Sequence, residues 1–153
     1  MAKVKALPEG LHSVTPQLRV DGAAEAITML GAALGAEELP GRALDPSGTK
    51  IWHAAIRIGD SVLFVSDAAP EMGAPAKPAS LWIYSEDVDA AYARATGAGL
   101  KSSMPPMDMF WGDRMAKVED RWGNEWNLAT HVKDLTPEEM KRAGDEFVAK
   151  MNK

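Results

Sequence analysis

The sequence predicts an α+β fold in which two βαβββ modules form a curved mixed sheet, followed by a C-terminal helix. The chain has 153 residues, of which 46% are hydrophobic and 25% charged, and this is typical of one globular domain, taken here as 1–153. The order of predicted elements also occurs twice, since 15–27 aligns with 80–92 without a gap. Two such units can bury a common core between a sheet and outer helices.

The first module is predicted over about residues 13–67. Apolar residues three and four positions apart indicate a helix, which Gly35 can end, and Gly59-Asp60 is a two-residue turn typical of hairpins. In chain order, the patterns predict a strand over 13–20, a helix over 23–34, a short strand over 37–42 and hairpin strands over 51–58 and 61–66.

The second module is predicted over about residues 79–132, after a Pro-, Ala- and Gly-rich linker over 68–78. The patterns predict a strand over 81–85, a helix over 88–96, a loop over 102–112, and strands over 114–118 and 125–130. A final helix over about 136–151 has Thr136 as N-cap, Pro137 at the first helical position and Glu139 at the third. We expect its apolar stripe to pack on its own subunit or on a partner subunit.

Composition and charge exclude several classes of function. The net charge of −5 disfavours a nucleic-acid surface or a polybasic membrane segment, so we expect neither partner. The absence of cysteine excludes disulfides, a thiol nucleophile and thiolate metal sites. No apolar stretch is long enough to span a bilayer and the first ten residues lack a signal core, which favours a cytoplasmic protein.

Four segments carry a resemblance to a known family. They cover 15–24, 55–61, 86–90 and the run over 109–131, of which 119–131 (EDRWGNEWNLATH) is the most specific. Together with the repeated βαβββ order, they make the chain resemble the vicinal oxygen chelate superfamily, which includes glyoxalase I, bleomycin-resistance proteins and extradiol dioxygenases. The run at the end is similar to the PhnB-like branch. The resemblance implies the fold given above and a homodimer.

Metal enzymes of this superfamily take four ligands from the first and last strands of the two modules. Position by position, the resemblance places these ligands at Thr15, Phe64, Ser80 and Asn127. None of the four is a usual metal ligand, and a phenyl ring cannot be one. We therefore expect no metal and no other cofactor, and neither glyoxalase I nor dioxygenase chemistry.

The same four positions and the two-residue period of strands indicate which side chains face the cleft. They are Thr15, Gln17, Arg19, Phe64, Ser66, Ser80, Trp82, Tyr84, Glu125 and Asn127, with His53, Ala55, Arg57, Asp113, Met115 and Lys117 from the third strands. The stretch 104–111 adds three Met and two aromatic residues, which suit either an adaptable apolar binding surface or the cap of a core or dimer interface.

The predicted cleft allows three readings of the function. The first is a metal-independent small-molecule binding protein that sequesters an apolar or aromatic ligand. Its predicted contacts are Gln17, Arg57, Phe64, Trp82, Met109, Trp111, Asp113 and Asn127. The alternative is a cofactorless lyase or isomerase with His53 as general base, which Asp113 could orient. A stable domain whose activity depends on another protein is a third reading.

Other conspicuous residues are predicted to be structural. Arg114 is expected to form an ion pair, and Trp126 to lie in the core because it alternates with Asn127. His131, just beyond the last strand, is expected to be structural or exposed.

Overall fold

The computed structural model describes residues 2–153. It divides into two compact units, the first ending at Ala79 and the second beginning at Ser80. The second has the predicted βαβββ order, and the first has one short strand more after its helix. Each module has a mixed sheet of its own, and a helix follows the second module. The predicted α+β fold class is confirmed. No helix within residues 2–153 is both long and apolar enough to cross a bilayer.

The first unit contains five strands and one α-helix. They are β1 (Gln17–Val20), α1 (Ala23–Leu34), β2 (Glu37–Glu38), β3 (Ala43–Leu44), β4 (Ile51–Ile58) and β5 (Ser61–Asp67), followed by a 3₁₀ turn over Pro70–Met72. The strand order is β1-β5-β4-β2, with β3 also paired to β4, and only β1 and β5 run parallel. The strand predicted over 13–20 begins only at Gln17, and the carbonyl of Pro16 before it accepts the N–H of Phe64 at 2.9 Å.

Helix α1 packs on the face of this sheet that carries Leu18, Val20, Ile56 and Val65, all almost completely buried. Asp67, at the end of β5, fixes the start of the helix. Its Oδ1 accepts hydrogen bonds of 2.9 Å from the backbone N–H groups of Gly22 and Ala23, and its Oδ2 accepts one of 2.7 Å from Ile51. Burial would raise the pKa of Asp67, but these three backbone donors outweigh it and hold the pKa below its ordinary value.

The second unit contains four strands and two helices. They are β6 (Ser80–Tyr84), α2 (Val88–Gly97), β7 (Lys101–Asp108), β8 (Asp113–Glu119), β9 (Glu125–His131) and α3 (Pro137–Met151). The strand order is β6-β9-β8-β7, with β6 and β9 parallel. Trp126 is 1% exposed in the core, as predicted, and its indole N–H donates to the buried carboxylate of Asp120 at 3.0 Å.

The prediction of a loop over 102–112 is wrong, because most of that segment is strand β7. Strand β7 lies at the edge of its sheet, where a proline can face away from the neighbouring strand. The pairing with β8 shifts register on either side of Met104, so Pro105 and Pro106 fall in an irregular stretch.

The predicted start of α3 is confirmed in detail. The side chain of Thr136 accepts a hydrogen bond from the backbone N–H of Glu139 at 3.1 Å, and the Glu139 carboxylate accepts one from the Thr136 N–H at 3.0 Å. The ring of Phe147 lies 5.2 Å from that of Phe110, which joins α3 to the turn before β8.

Candidate functional site

Three aromatic side chains form a surface on the second module, which we call the aromatic shelf: Trp82, Tyr84 and Trp111. Trp82 and Tyr84 are neighbours on one face of β6 and are 47% and 59% exposed. Their rings stack at 6.2 Å with an angle of 24°, and the Trp111 ring meets that of Trp82 edge-on at 6.4 Å and 63°. Two of the rings thus stack on each other, and the third meets the pair edge-on.

The buried carboxylate of Asp113, only 3% exposed, holds the polar ends of the shelf. Its Oδ2 accepts hydrogen bonds from the Tyr84 hydroxyl at 2.8 Å and from the Trp111 indole N–H at 3.0 Å. Because an ionised acceptor strengthens such bonds, the two rings are fixed before any ligand arrives. The bond to Asp113 raises the pKa of Tyr84, so its hydroxyl keeps its proton.

His131 forms a hydrogen bond with Oδ1, the second carboxylate oxygen of Asp113. Its Nδ1 lies 2.9 Å from Asp113 Oδ1, and its Nε2 lies 2.7 Å from Asp134 Oδ1. Asp134 and then Asp113 raise the pKa of His131, and the imidazolium can donate to both. Burial would raise the pKa of Asp113, but the bonds from His131, Tyr84 and Trp111 outweigh it and hold that pKa below its ordinary value.

The residues of the second module that were predicted to contact a ligand lie in three different environments. Trp82 and Trp111 join the aromatic shelf, whereas Asn127 is 2% exposed and donates to Ser80 Oγ and to the Leu81 carbonyl, both at 3.1 Å. Met109 and Phe110 line a cavity of about 360 Å³ beside α3, with Leu135 and the charged Lys133, Glu139 and Arg142. Arg114 forms the expected ion pairs, with Asp89 at 2.8 Å and with Asp108 at 3.3 Å.

The predicted contacts of the first module lie on the face of its sheet opposite α1, which we call its open face. On β4, Ala54, Ile56 and Ile58 are buried while His53 and Arg57 are exposed. Gln17 Nε2 donates a hydrogen bond to Ser66 Oγ at 3.0 Å, and Arg57 forms an ion pair with Glu37 at 3.1 Å. The ring of His53 meets that of Phe64 edge-on, with centroids 4.7 Å apart.

The lyase or isomerase alternative stays a prediction. It would use Asp113 to orient His53, but the Asp113 carboxylate accepts hydrogen bonds from three side chains of its own module. His53 contacts a phenyl ring instead, and within residues 2–153 no hydrogen bond of its imidazole is seen.

The residues at the four superfamily ligand positions do not fit a metal ion. In the first module they are Thr15 and Phe64, and in the second the hydroxyl of Ser80 and the amide of Asn127, whose NH₂ already donates to Ser80. Proteins hold divalent cations mainly through several carboxylate, imidazole or thiolate donors together, and none of these four side chains is one. Across residues 2–153, no group of three His, Cys, Asp or Glu side chains is placed to hold one.

The sequence profile of the Glyoxalase/Bleomycin resistance protein/Dioxygenase superfamily matches residues 10–128, and the chain belongs to this superfamily. It is 36% identical over 140 residues to the uncharacterised protein Mb0911c of Mycobacterium bovis, covering 86% of this chain and 91% of that protein. The uncharacterised protein Rv0887c of Mycobacterium tuberculosis is equally similar and is covered to 81%.

Solved structures share the fold at lower identity. TioX from Micromonospora sp. ML1 has a TM-score of 0.65 and 24% identity, with 79% of this chain and 99% of that chain covered. A PhnB protein from Bacillus cereus has a TM-score of 0.61 and 15% identity, with 78% and 99% covered. The predicted membership of this superfamily is confirmed, and the chain shares its fold with a PhnB protein.

Proposed function

We propose that this chain is a small-molecule binding protein that holds an aromatic or apolar ligand on the aromatic shelf without a metal ion. The observation that carries the proposal is the combination of exposure and order in Trp82, Tyr84 and Trp111. Two of these side chains are about half exposed, yet the ring contacts and bonds to Asp113 fix their orientation.

The geometry favours a flat ligand. The Trp82 and Tyr84 rings are inclined by only 24°, so a planar ring can extend their stack and meet the steeper Trp111 ring edge-on. Because the Tyr84 hydroxyl and the Trp111 N–H are bound to Asp113, the exposed parts of the shelf are mainly its apolar ring faces. Because the rings are already ordered, binding costs little side-chain conformational entropy.

Metal independence is part of the proposal and is supported by the donor chemistry. Every position at which superfamily enzymes take a ligand holds a hydroxyl, an amide or a phenyl ring. The shelf instead offers stacking and dispersion, which need no ion. The partner proposed is therefore a small molecule, and the acidic net charge of −5 disfavours nucleic acid.

Replacing Trp82 with alanine removes the side chain that contacts both other rings of the shelf. With 2-naphthol as a neutral planar probe, we expect calorimetry to give affinity at least about fivefold weaker, since stacking on one aromatic is worth about 1–3 kcal/mol. The matched control is Trp52→Ala, which removes a tryptophan that is 51% exposed on β4 of the other unit.

The control should bind the probe as the unchanged protein does, with or without EDTA. Equal losses in the Trp82 and Trp52 variants would contradict the proposed site. Loss of binding in EDTA that Zn²⁺ or Mg²⁺ restores would contradict metal independence.

A further inference from the structure

A row of basic and hydroxyl side chains crosses the open face of the first module. In the sheet, Arg19 lies beside Ser66, and an isolated antiparallel bridge pairs Arg19 with Lys77 on its other side. The β4–β5 register places Ala54 opposite Val65, and its continuation places His53 opposite Ser66. Paired residues share a face, so these four form what we call the basic row: Lys77, Arg19, Ser66 and His53.

The two cations of the basic row are not neutralised by the protein. Within residues 2–79, no carboxylate lies within ion-pair distance of Arg19 or Lys77, whereas Arg42 and Arg57 are bound by Glu38 and Glu37 at 2.7 and 3.1 Å. Like charges on directly paired residues repel each other. An anion between Arg19 and Lys77 would relieve that repulsion.

The surroundings of Arg19 favour an anion further. Ser66 is only 5% exposed, and its Oγ accepts a hydrogen bond from Gln17, which leaves its own hydrogen to donate. Arg19 is itself half-buried, so its charge is less screened than that of a fully exposed side chain. The neighbouring row holds Gln17, Phe64 and Ala55 and no charged residue.

We propose that the basic row binds a small oxyanion, the carboxylate or phosphate group of a small molecule. The planar guanidinium of Arg19 can bind two oxygens at once, Lys77 supplies a second positive charge, and Ser66 supplies a neutral donor. This site lies in the first unit and does not depend on the aromatic shelf.

The test is an NMR titration of the amide signals of the full chain at constant ionic strength. Inorganic phosphate is one probe, acetate the second, and chloride the reference. We expect saturable shifts at Arg19, Ser66 and Lys77, with a dissociation constant on the order of 1 mM for the preferred probe. Stronger binding of phosphate would identify a phosphate ligand, and stronger binding of acetate a carboxylate.

The double variant Arg19→Gln, Lys77→Gln should bind at least tenfold more weakly. The control Arg42→Gln, Lys50→Gln removes the same charge from the same unit and should stay within twofold. The single variant Lys77→Gln, at an exposed position, should weaken binding at least threefold and serves if the double variant does not fold. Shifts equal to those with chloride, or unchanged binding in the Arg19 and Lys77 variants, would overturn the proposal.

Discussion

Replacing Gly112 with alanine should destabilise the second module by about 3 kcal/mol or more, through backbone strain of about 1–3 kcal/mol and a steric clash of similar size. Gly112 has φ of 98°, a conformation that L side chains rarely adopt. A methyl group there would overlap the carbonyl oxygen of Lys133, which is backbone. The Gly112 carbonyl also accepts the N–H groups of Val132 and Lys133, so the two segments cannot easily separate.

Denaturant unfolding followed by tryptophan fluorescence measures this loss. The matched control is Gly99→Ala, because Gly99 has φ of 104° in the same unit but nothing within 4 Å of an added methyl group. The control should lose only the strain, on the order of 1 kcal/mol. Equal losses at Gly112 and Gly99 would show that the contact with Lys133 does not constrain the chain.

Replacing Asp113 with alanine should lower both stability and ligand affinity. The change removes the charged acceptor of the Tyr84 hydroxyl and the Trp111 N–H, and a hydrogen bond to a charged group contributes about 1.5–3 kcal/mol. We expect a loss of about 3 kcal/mol in stability and about tenfold in affinity for 2-naphthol, since the shelf would no longer be held in place.

Asp120→Ala separates the two effects. Asp120 is also buried and accepts an indole N–H, that of the core residue Trp126, together with bonds from Trp122 and Asn124. Its loss should lower stability comparably but leave the affinity of the folded protein unchanged. An Asp113 variant that binds 2-naphthol normally would show that the carboxylate does not organise the shelf.

The features that the sequence predicts best are local or periodic. The capping box at Thr136 depends on residues within one helical turn, and the burial of Trp126 follows from strand alternation. The strand β7 is not predicted because Pro105 and Pro106 interrupt the strand pattern in the sequence. It forms through its pairing with β8, which the local sequence does not indicate. The capping of α1 by Asp67 is missed because the two are more than forty residues apart.

Of the features of the site, strand periodicity again predicts some and not others. Strand alternation places Trp82 and Tyr84 on one face, and extending the predicted hairpin register would have paired Asp113 with His131, as the structure does. The orientation of Trp111 could not be predicted, because it depends on its bond to Asp113 and on its contacts with Trp82 and Phe110. The place of Lys77 in the basic row could not be predicted. Lys77 lies in a segment without periodicity and is paired with Arg19 by a single isolated bridge.

The most direct test of the proposed function is an NMR titration of the five tryptophan indole N–H signals with 2-naphthol in the presence of EDTA. We expect the signals of Trp82 and Trp111 to shift and saturate together, while those of exposed Trp52 and buried Trp126 stay in place. Saturable shifts at Trp52 alone, or no saturable shift at any tryptophan until a divalent metal is added, would contradict a metal-independent aromatic site on the second module.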